Sequence, residues 1–202
     1  MFLKTIIEDD MSRLTLIEDN KEHNFKIWRS SEIVDNKDEF VRQIESSRNS
    51  LRSIYPDIDS TWGYNVYNIF AVSAGYEMFY NLYKDLQFIV RDYMQTDEPL
   101  WMQSWANYQY ENDLLDWHAH FDWACHGYIS IDPKNSITMF EGFEIANEVG
   151  NIYIGPSNVQ HKVYSTGQYD GHRITCGYDI GKMDVLLDMQ ERDSVNISFM
   201  PI

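Results

Sequence analysis

The sequence predicts an α+β fold in which helices from the first half pack on one face of a β-sandwich or barrel, a jelly roll being one such arrangement. Three observations carry this. Two stretches before Pro99 repeat apolar residues at three- and four-residue spacing, the period of an amphipathic helix. After Pro99 the chain becomes a series of short segments rich in Tyr, Ile, Thr and Val, bounded by Gly, Asn, Asp or Pro, which is the signature of strands at regular spacing. The 5 prolines, Pro56, Pro99, Pro133, Pro156 and Pro201, fall between these segments and punctuate them.

Taken in order, residues 37–51 place Phe40, Val41, Ile44 and Leu51 near one helical face. Residues 73–94 repeat Phe79, Leu82, Tyr83, Leu86, Ile89, Val90 and Tyr93, with Ser73 as a candidate N-cap. The expected strands are WMQSWANYQY, HGYISID, SITMF, NIYIG, HKVYS and HRITCGYDI. No internal repeat, low-complexity tract or Gly/Ser/Pro-rich linker divides the chain. At about 150 residues per domain, 202 residues make one domain. Its expected parts are a helix-rich segment 1–98, a β core 99–182 and a tail 183–202.

Composition narrows the function classes. With 44% hydrophobic and 15% aromatic residues the chain has ample material for a buried core. Its 16 Lys and Arg stand against 32 Asp and Glu, a formal charge of -16, and no basic cluster interrupts the acidity. Such a surface repels phosphate backbones, so no nucleic-acid partner is expected. Residues 1–20 carry acids where a signal peptide needs an apolar stretch, and no run approaches the roughly 18 apolar residues of a membrane span. The expected location is the cytoplasm, without a membrane partner. Cys125 and Cys176 have no CxxC spacing and are expected as buried reduced thiols.

Chemistry concentrates in one region. Of 6 histidines, His118, His120 and His126 fall within nine residues, in WHAHFDWACH. In an extended strand alternate side chains share a face, so His118, His120 and Asp122 would project together if the strand continues that far. Downstream, GNIYIGPSNVQHKV reads as a strand, a tight Gly-Pro-Ser turn and a histidine, His161, opening the next strand. A third ligand from a remote strand completes a two-histidine, one-carboxylate site and leaves one face of the metal open. Twelve residues beyond His161 come Arg173 and, at alternate spacing, Thr175. A guanidinium and a hydroxyl on one strand face can grip a carboxylate.

The order HxD, then GNIYIGPSNVQH, then RIT resembles the Fe(II)- and 2-oxoglutarate-dependent dioxygenases over roughly residues 100–182. Within that superfamily, Trp105-Ala106-Asn107, His118-Ala119-His120 and Gly127-Tyr128 are similar to a subgroup of 2-oxoglutarate oxygenases of bacteria and phages with a WAN…HxH…SGxYY pattern, although His126 stands where that pattern has Ser. The resemblance implies a double-stranded β-helix core, Fe(II) held by His120, Asp122 and His161, and 2-oxoglutarate anchored through its distal carboxylate by Arg173 and Thr175, with Tyr128 a further candidate for that carboxylate. It also implies O2 as oxidant, hydroxylation of a substrate C-H bond, release of succinate and CO2, and location in a host cytoplasm if the gene is carried by a phage. The HxH pattern leaves His118 with His120 as an alternative first pair of ligands. The His120 and Asp122 pair is preferred because a carboxylate leaves the bound ion less positive. His118 is then a substrate-facing or supporting group.

Asn107 and Tyr110 precede the metal motif, Asn107 as a pocket-lining candidate and Tyr110 as core. Trp117 and Trp123 are either walls of a substrate site or ordinary packing. His126 and His172 read as hydrogen-bonded strand residues. Two rivals stand beside the oxygenase: a zinc-dependent cupin-like hydrolase using His118, His120 and His161, which leaves Arg173 and Thr175 without a task, and a noncatalytic β-sandwich serving interactions. The primary substrate, a small molecule or a protein side chain, has no motif of its own.

Overall fold

The computed structural model describes residues 11–51, 67–73, 75–111, 115–193 and 198–202, and in it the strands pair into two antiparallel sheets. The larger has seven strands in the order β1 (Leu14–Asn20), β2 (Phe25–Ser30), β8 (Asn151–Gly155), β5 (Cys125–Asp132), β10 (Arg173–Gly181), β3 (Trp101–Gln109) and β11 (Met200–Pro201). The smaller has four, in the order β4 (Leu115–His118), β9 (His161–Ser165), β6 (Ser136–Phe140) and β7 (Phe143–Ala146). The helices are α1 (Ser31–Asp35), α2 (Lys37–Leu51), α3 (Ile69–Ser73), α4 (Glu77–Met94) and α5 (Met183–Asp193).

Strand β10 shows why the layers form. All nine of its residues are buried, which requires cover on both faces. Its outer set, Ile174, Cys176, Tyr178 and Ile180, joins Met102, Ala106, Tyr108, Cys125, Ile129, Ile131, Ile152 and Ile154 of neighbouring strands in one apolar cluster. Onto it pack Phe40 and Ile44 of α2 and Phe79, Leu82, Leu86, Ile89 and Val90 of α4. Each such side chain contributes about 1.5–3 kcal/mol when fully buried. The inner set is Arg173, Thr175, Gly177 and Asp179, whose cross-strand partners are Gln109, Asn107, Trp105 and Gln103 on β3. The interior between the sheets is therefore polar along β10. It is closed apolarly at one side, where Phe25, Ile27 and Tyr153 of the larger sheet meet Phe140 and Ile145 of the smaller.

Helix α2 occupies residues 37–51, as its periodicity predicts. The second helix departs from expectation: α4 begins at Glu77, its N-cap is Tyr76 without a side-chain cap, and Ser73 instead ends α3. Gly75 lies in the turn between them, where a residue without Cβ favours a break over continued helix. Ser73 Oγ lies 3.2 Å from Ser47 Oγ of α2, so it ties helices together. All six expected strands are present as β3, β5, β6, β8, β9 and β10. The first half is not purely helical, because β1 and β2 extend the larger sheet. Nor is the tail featureless: it forms α5 and then β11, which pairs with β3, and the Arg91 guanidinium donates to the Ile202 carbonyl at 2.7 Å. Cys125 and Cys176 are buried free thiols, and burial pushes both pKa values up, that of Cys176 to about 12. No helix among the described residues is long and apolar enough to cross a membrane.

Candidate metal centre

Strand β4 pairs with β9 so that His118 lies directly opposite His161, their ring centroids 4.2 Å apart. Just past the end of β4, the His120 backbone N-H donates to the Ser157 carbonyl at 2.8 Å, and the Ser157 hydroxyl donates to the Trp123 carbonyl. The Gly-Pro-Ser turn therefore stitches down the loop that follows β4, and Ala124 N-H fastens the far end to the Ile180 carbonyl of β10 at 2.8 Å. One ring nitrogen each of His118, His120 and His161 then lies within 4.8 Å of the others.

The second nitrogen of each ring is already engaged. His118 Nδ1 is 2.8 Å from the Asp116 carbonyl, His161 Nδ1 is 3.2 Å from the Val159 carbonyl, and His120 Nδ1 is 3.0 Å from Asp179 Oδ2. An oxygen acceptor at Nδ1 assigns the proton there and leaves Nε2 as a bare lone pair, the usual preparation of a histidine for a metal. Burial also suppresses the cationic forms. The His161 pKa is pushed down to about 3, chiefly by burial and then by the neighbouring His118 and His120, and that of His118 is lowered for the same leading reason. Three imidazoles offering Nε2 to one point fit a divalent metal of borderline softness.

Asp122, expected beside His120 and His161, does not join this grouping of described residues. The strand ends at His118 and the chain turns at Phe121 and Asp122, so alternation is lost; Asp122 is exposed with φ +74, a left-handed conformation that Asp tolerates well. The His118, His120 and His161 alternative is the one that the structure assembles.

Two residues unforeseen as site members stand behind the three. His126, on β5, is buried with Nε2 unpartnered and stacks on His120 at 4.6 Å and on His161 at 4.7 Å. Asp179, its cross-strand neighbour on β10, is 1% exposed. Trp105 stacks on the other side of His120 at 5.8 Å, lying over Gly177, where an added Cβ would come within 2.4 Å of the indole. The sequence held one signal for Asp179: the alternation Arg173, Thr175, Gly177, Asp179.

Arg173 and Thr175 lie farther along the same inner face, 5% and 1% exposed. The Arg173 Nε donates to Ser136 Oγ at 3.0 Å across the gap between the sheets, and Nη1 donates to Gln109 Oε1. Asn107 Nδ2 lies 3.4 Å from Thr175 Oγ1. Among the described residues no carboxylate pairs with Arg173, and burial lowers its pKa to about 10 against the opposing influence of Tyr128 and Tyr169. The Ser130 hydroxyl, on the inner side of β5, is buried without a hydrogen-bond partner among the described residues, and the Tyr128 hydroxyl on the same side lies by Thr138. A buried cation with only neutral partners, beside an orphaned hydroxyl, is a pocket suited to an anion.

The remaining candidates lie elsewhere. Tyr110 is exposed, not core, with its ring 4.2 Å from that of His172. Trp117 is exposed with Lys162 5.0 Å over its ring, and half-buried Trp123 packs edge-on against Phe199 at 6.0 Å.

No protein-family profile matches the sequence, and no curated protein matches it significantly. Solved structures do. The non-heme alpha-ketoglutarate-dependent carbocyclase SnoK from nogalamycin biosynthesis aligns over 91% of this chain and 96% of its own at 10% identity and a TM-score of 0.55. HygX from Streptomyces hygroscopicus, solved with nickel and 2-oxoglutarate bound, aligns over 81% of this chain and 87% of its own at 11% identity and a TM-score of 0.53. A 2OG-Fe(II) oxygenase family oxidoreductase from Burkholderia pseudomallei matches over 55% of this chain and only 58% of its own, at 14% identity and a TM-score of 0.43. The chain has the double-stranded β-helix fold that SnoK and HygX share.

Proposed function

We propose that this protein is a metal- and 2-oxoglutarate-dependent oxygenase acting on a C-H bond, with Fe(II) held by His118, His120 and His161. One observation carries the reading: among the described residues, a trio of histidines whose Nδ1 atoms are engaged and a buried arginine without a carboxylate partner share the interior of one β-helix. A five-carbon dicarboxylate with a 2-oxo group offers complementary ends, a 2-oxo acid to chelate the metal and a distal carboxylate for the guanidinium. The bound metal would supply the activation of O2 that no side chain can. The chain's own contributions are positional. Arg173 and Thr175 hold the distal carboxylate, with Tyr128 and Ser130 hydroxyls available to donate to it. Gln109 and Ser136 keep the guanidinium plane fixed, and the enclosed interior limits water.

The three-histidine set is also what a zinc hydrolase requires, so the ligands alone do not separate the two readings. Arg173 does. Anaerobic titration of the Fe(II)-loaded protein with 2-oxoglutarate should produce a weak visible charge-transfer band, and admitting O2 should yield succinate. His161→Ala should lose both. Binding of zinc but not of 2-oxoglutarate would transfer the site to the hydrolase reading.

A further inference from the structure

We infer that Asp179 is the positioning residue of the metal centre: through His120 it fixes which nitrogen faces the metal and provides the negative charge that the three histidines lack. This rests on the metal reading above. Asp179 sits on the central strand of the larger sheet, 1% exposed, with both carboxylate oxygens 3.0 Å from His120 Nδ1. Among the described residues His120 is its hydrogen-bond partner, and no Lys or Arg reaches it. Its cross-strand neighbours are the uncharged Gln103 and His126, and the chain on its outer side packs Tyr178 and Ile180 into the helix-covered core. A buried carboxylate without a Lys or Arg partner is costly, and an apolar side chain at the same place would serve the sheet better. The cost is recovered when a dication occupies His120 Nε2, one imidazole away.

Geometry favours this over incidental packing. The His120 ring is clamped between Trp105 at 5.8 Å, interplanar 18°, and His126 at 4.6 Å, interplanar 6°. Those contacts fix the plane of the ring, yet ring stacking cannot distinguish Nδ1 from Nε2. The carboxylate does, because only an N-H can face it. His118 and His161 are set by backbone carbonyls instead, so Asp179 is the one anionic group among the three acceptors. In the expected HxD arrangement the carboxylate binds the ion directly. Here the charge is moved one residue outward, which leaves the inner coordination purely nitrogenous.

His120, His126 and Asp179 can also be drawn as a separate cation cluster, their ligand atoms within 4.8 Å of one another. Filling it together with the histidine trio would put two dications on opposite nitrogens of one imidazole with a single carboxylate to offset them, which charge repulsion disfavours.

The test uses the full-length, metal-free protein with Co(II) as probe. Asp179→Asn keeps the shape and removes the charge. It should weaken Co(II) binding by about 10- to 100-fold, the usual effect of removing a group that orients a ligating histidine, and alter the visible d-d spectrum. The melting temperature of the metal-free variant should equal or exceed that of wild type, whereas a purely structural Asp179 would lower it. Independently of any variant, long-range nitrogen-proton NMR of wild type should find His120 protonated on Nδ1. Unchanged Co(II) affinity and spectrum in Asp179→Asn, protonation of His120 on Nε2, or binding of two Co(II) per chain that falls to one in Asp179→Asn would each overturn the inference while leaving a metal centre. Failure of wild type to bind Co(II) would remove the metal reading itself.

Discussion

At the scale of the residue, the interior of the β-helix holds groups that a purely structural protein would avoid, and each makes a measurable demand. Arg173 is the clearest. Its neutral partners Ser136 and Gln109 orient the guanidinium without cancelling its charge, so a ligand carboxylate gains a fully buried, charge-assisted bond. Breaking such a pair typically costs about 2–5 kcal/mol, so Arg173→Ala should weaken 2-oxoglutarate binding to the metal-loaded protein by roughly 30-fold or more without displacing the metal. Arg173→Lys should recover part of this, since an ammonium keeps charge but loses the planar fork. Direct titration checks both, and an Arg173→Ala protein with wild-type affinity would remove the anchor. The histidines make a second demand. Burial lowers the pKa values of His118, His126 and His161, so below about 6.5 the unfolded chain takes up protons that the folded chain refuses. Their contribution is present above that pH and lost as pH falls, for His161 down to about 3. Asp179 acts oppositely: burial raises its pKa, so its share is present at low pH and lost as pH rises. In metal-free protein, His161→Ala should flatten the slope of unfolding free energy against pH between 6.5 and 5 by up to about 1.4 kcal/mol per unit, the weight of one proton. Urea midpoints at several pH values measure it, and parallel slopes for variant and wild type would contradict it.

At the scale of the element, the site depends on strands whose two faces have different tasks. Gly177 of β10 illustrates the coupling. An added Cβ would approach Trp105 Cε2 and Cζ2 at 2.4 and 2.5 Å, atoms of a rigid ring that itself leans on His120. Gly177→Ala should therefore push the indole, disturb His120 and weaken metal binding, while the strand, hydrogen-bonded on both edges, stays in register. Comparison of Co(II) affinity with far-ultraviolet circular dichroism separates these effects; loss of both together would mean that Gly177 serves the sheet rather than the site. Strands of this kind were legible because HRITCGYDI, SITMF and NIYIG are short, rich in Ile, Thr and Tyr and bounded by Gly, Asn, Asp or Pro, and they are β10, β6 and β8; α2 was legible because nothing interrupts its period. Strand β1 was not, since most of its residues are exposed and LTLIEDN carries no buried face to impose a pattern. The candidate site was half legible. His118, His120 and His161 stood out by residue type, yet choosing Asp122 assumed that β4 runs past His118, and where a strand ends in favour of a turn is decided by contacts such as His120 N-H to Ser157, which join residues 37 positions apart. Asp179 was hidden for a related reason: only the pairing of β10 with β5 brings it beside His126 and His120.

At the scale of the whole molecule, the formal charge of -16 has two consequences that do not depend on the site. Ion pairs such as Lys26 with Asp92 at 2.5 Å and Arg13 with Asp85 at 2.7 Å occupy part of a small cationic complement, 16 residues against 32 acids, so at least half of the acids cannot be matched one to one by a cation. Self-repulsion of the acidic surface destabilises the compact state and is screened by salt over a Debye length of about 8 Å at physiological ionic strength. The same field opposes polyanions, whose binding requires several Lys or Arg to displace the counterions condensed on the phosphates. Duplex DNA or RNA should consequently leave no retarded band in a gel-shift assay at physiological salt. In addition, the melting temperature of the metal-free protein should rise as sodium chloride increases from about 10 to about 150 mM, a range over which the Debye length shortens from about 30 Å to about 8 Å. A protein held mainly by buried apolar contacts has no other reason to respond at such low concentrations, because apolar burial is strengthened by excluded salts such as sulfate rather than by screening. If the melting temperature falls over this range, favourable surface ion pairs outweigh the net repulsion, and the acidic surface is then better described as a network of compensated pairs than as a uniform field.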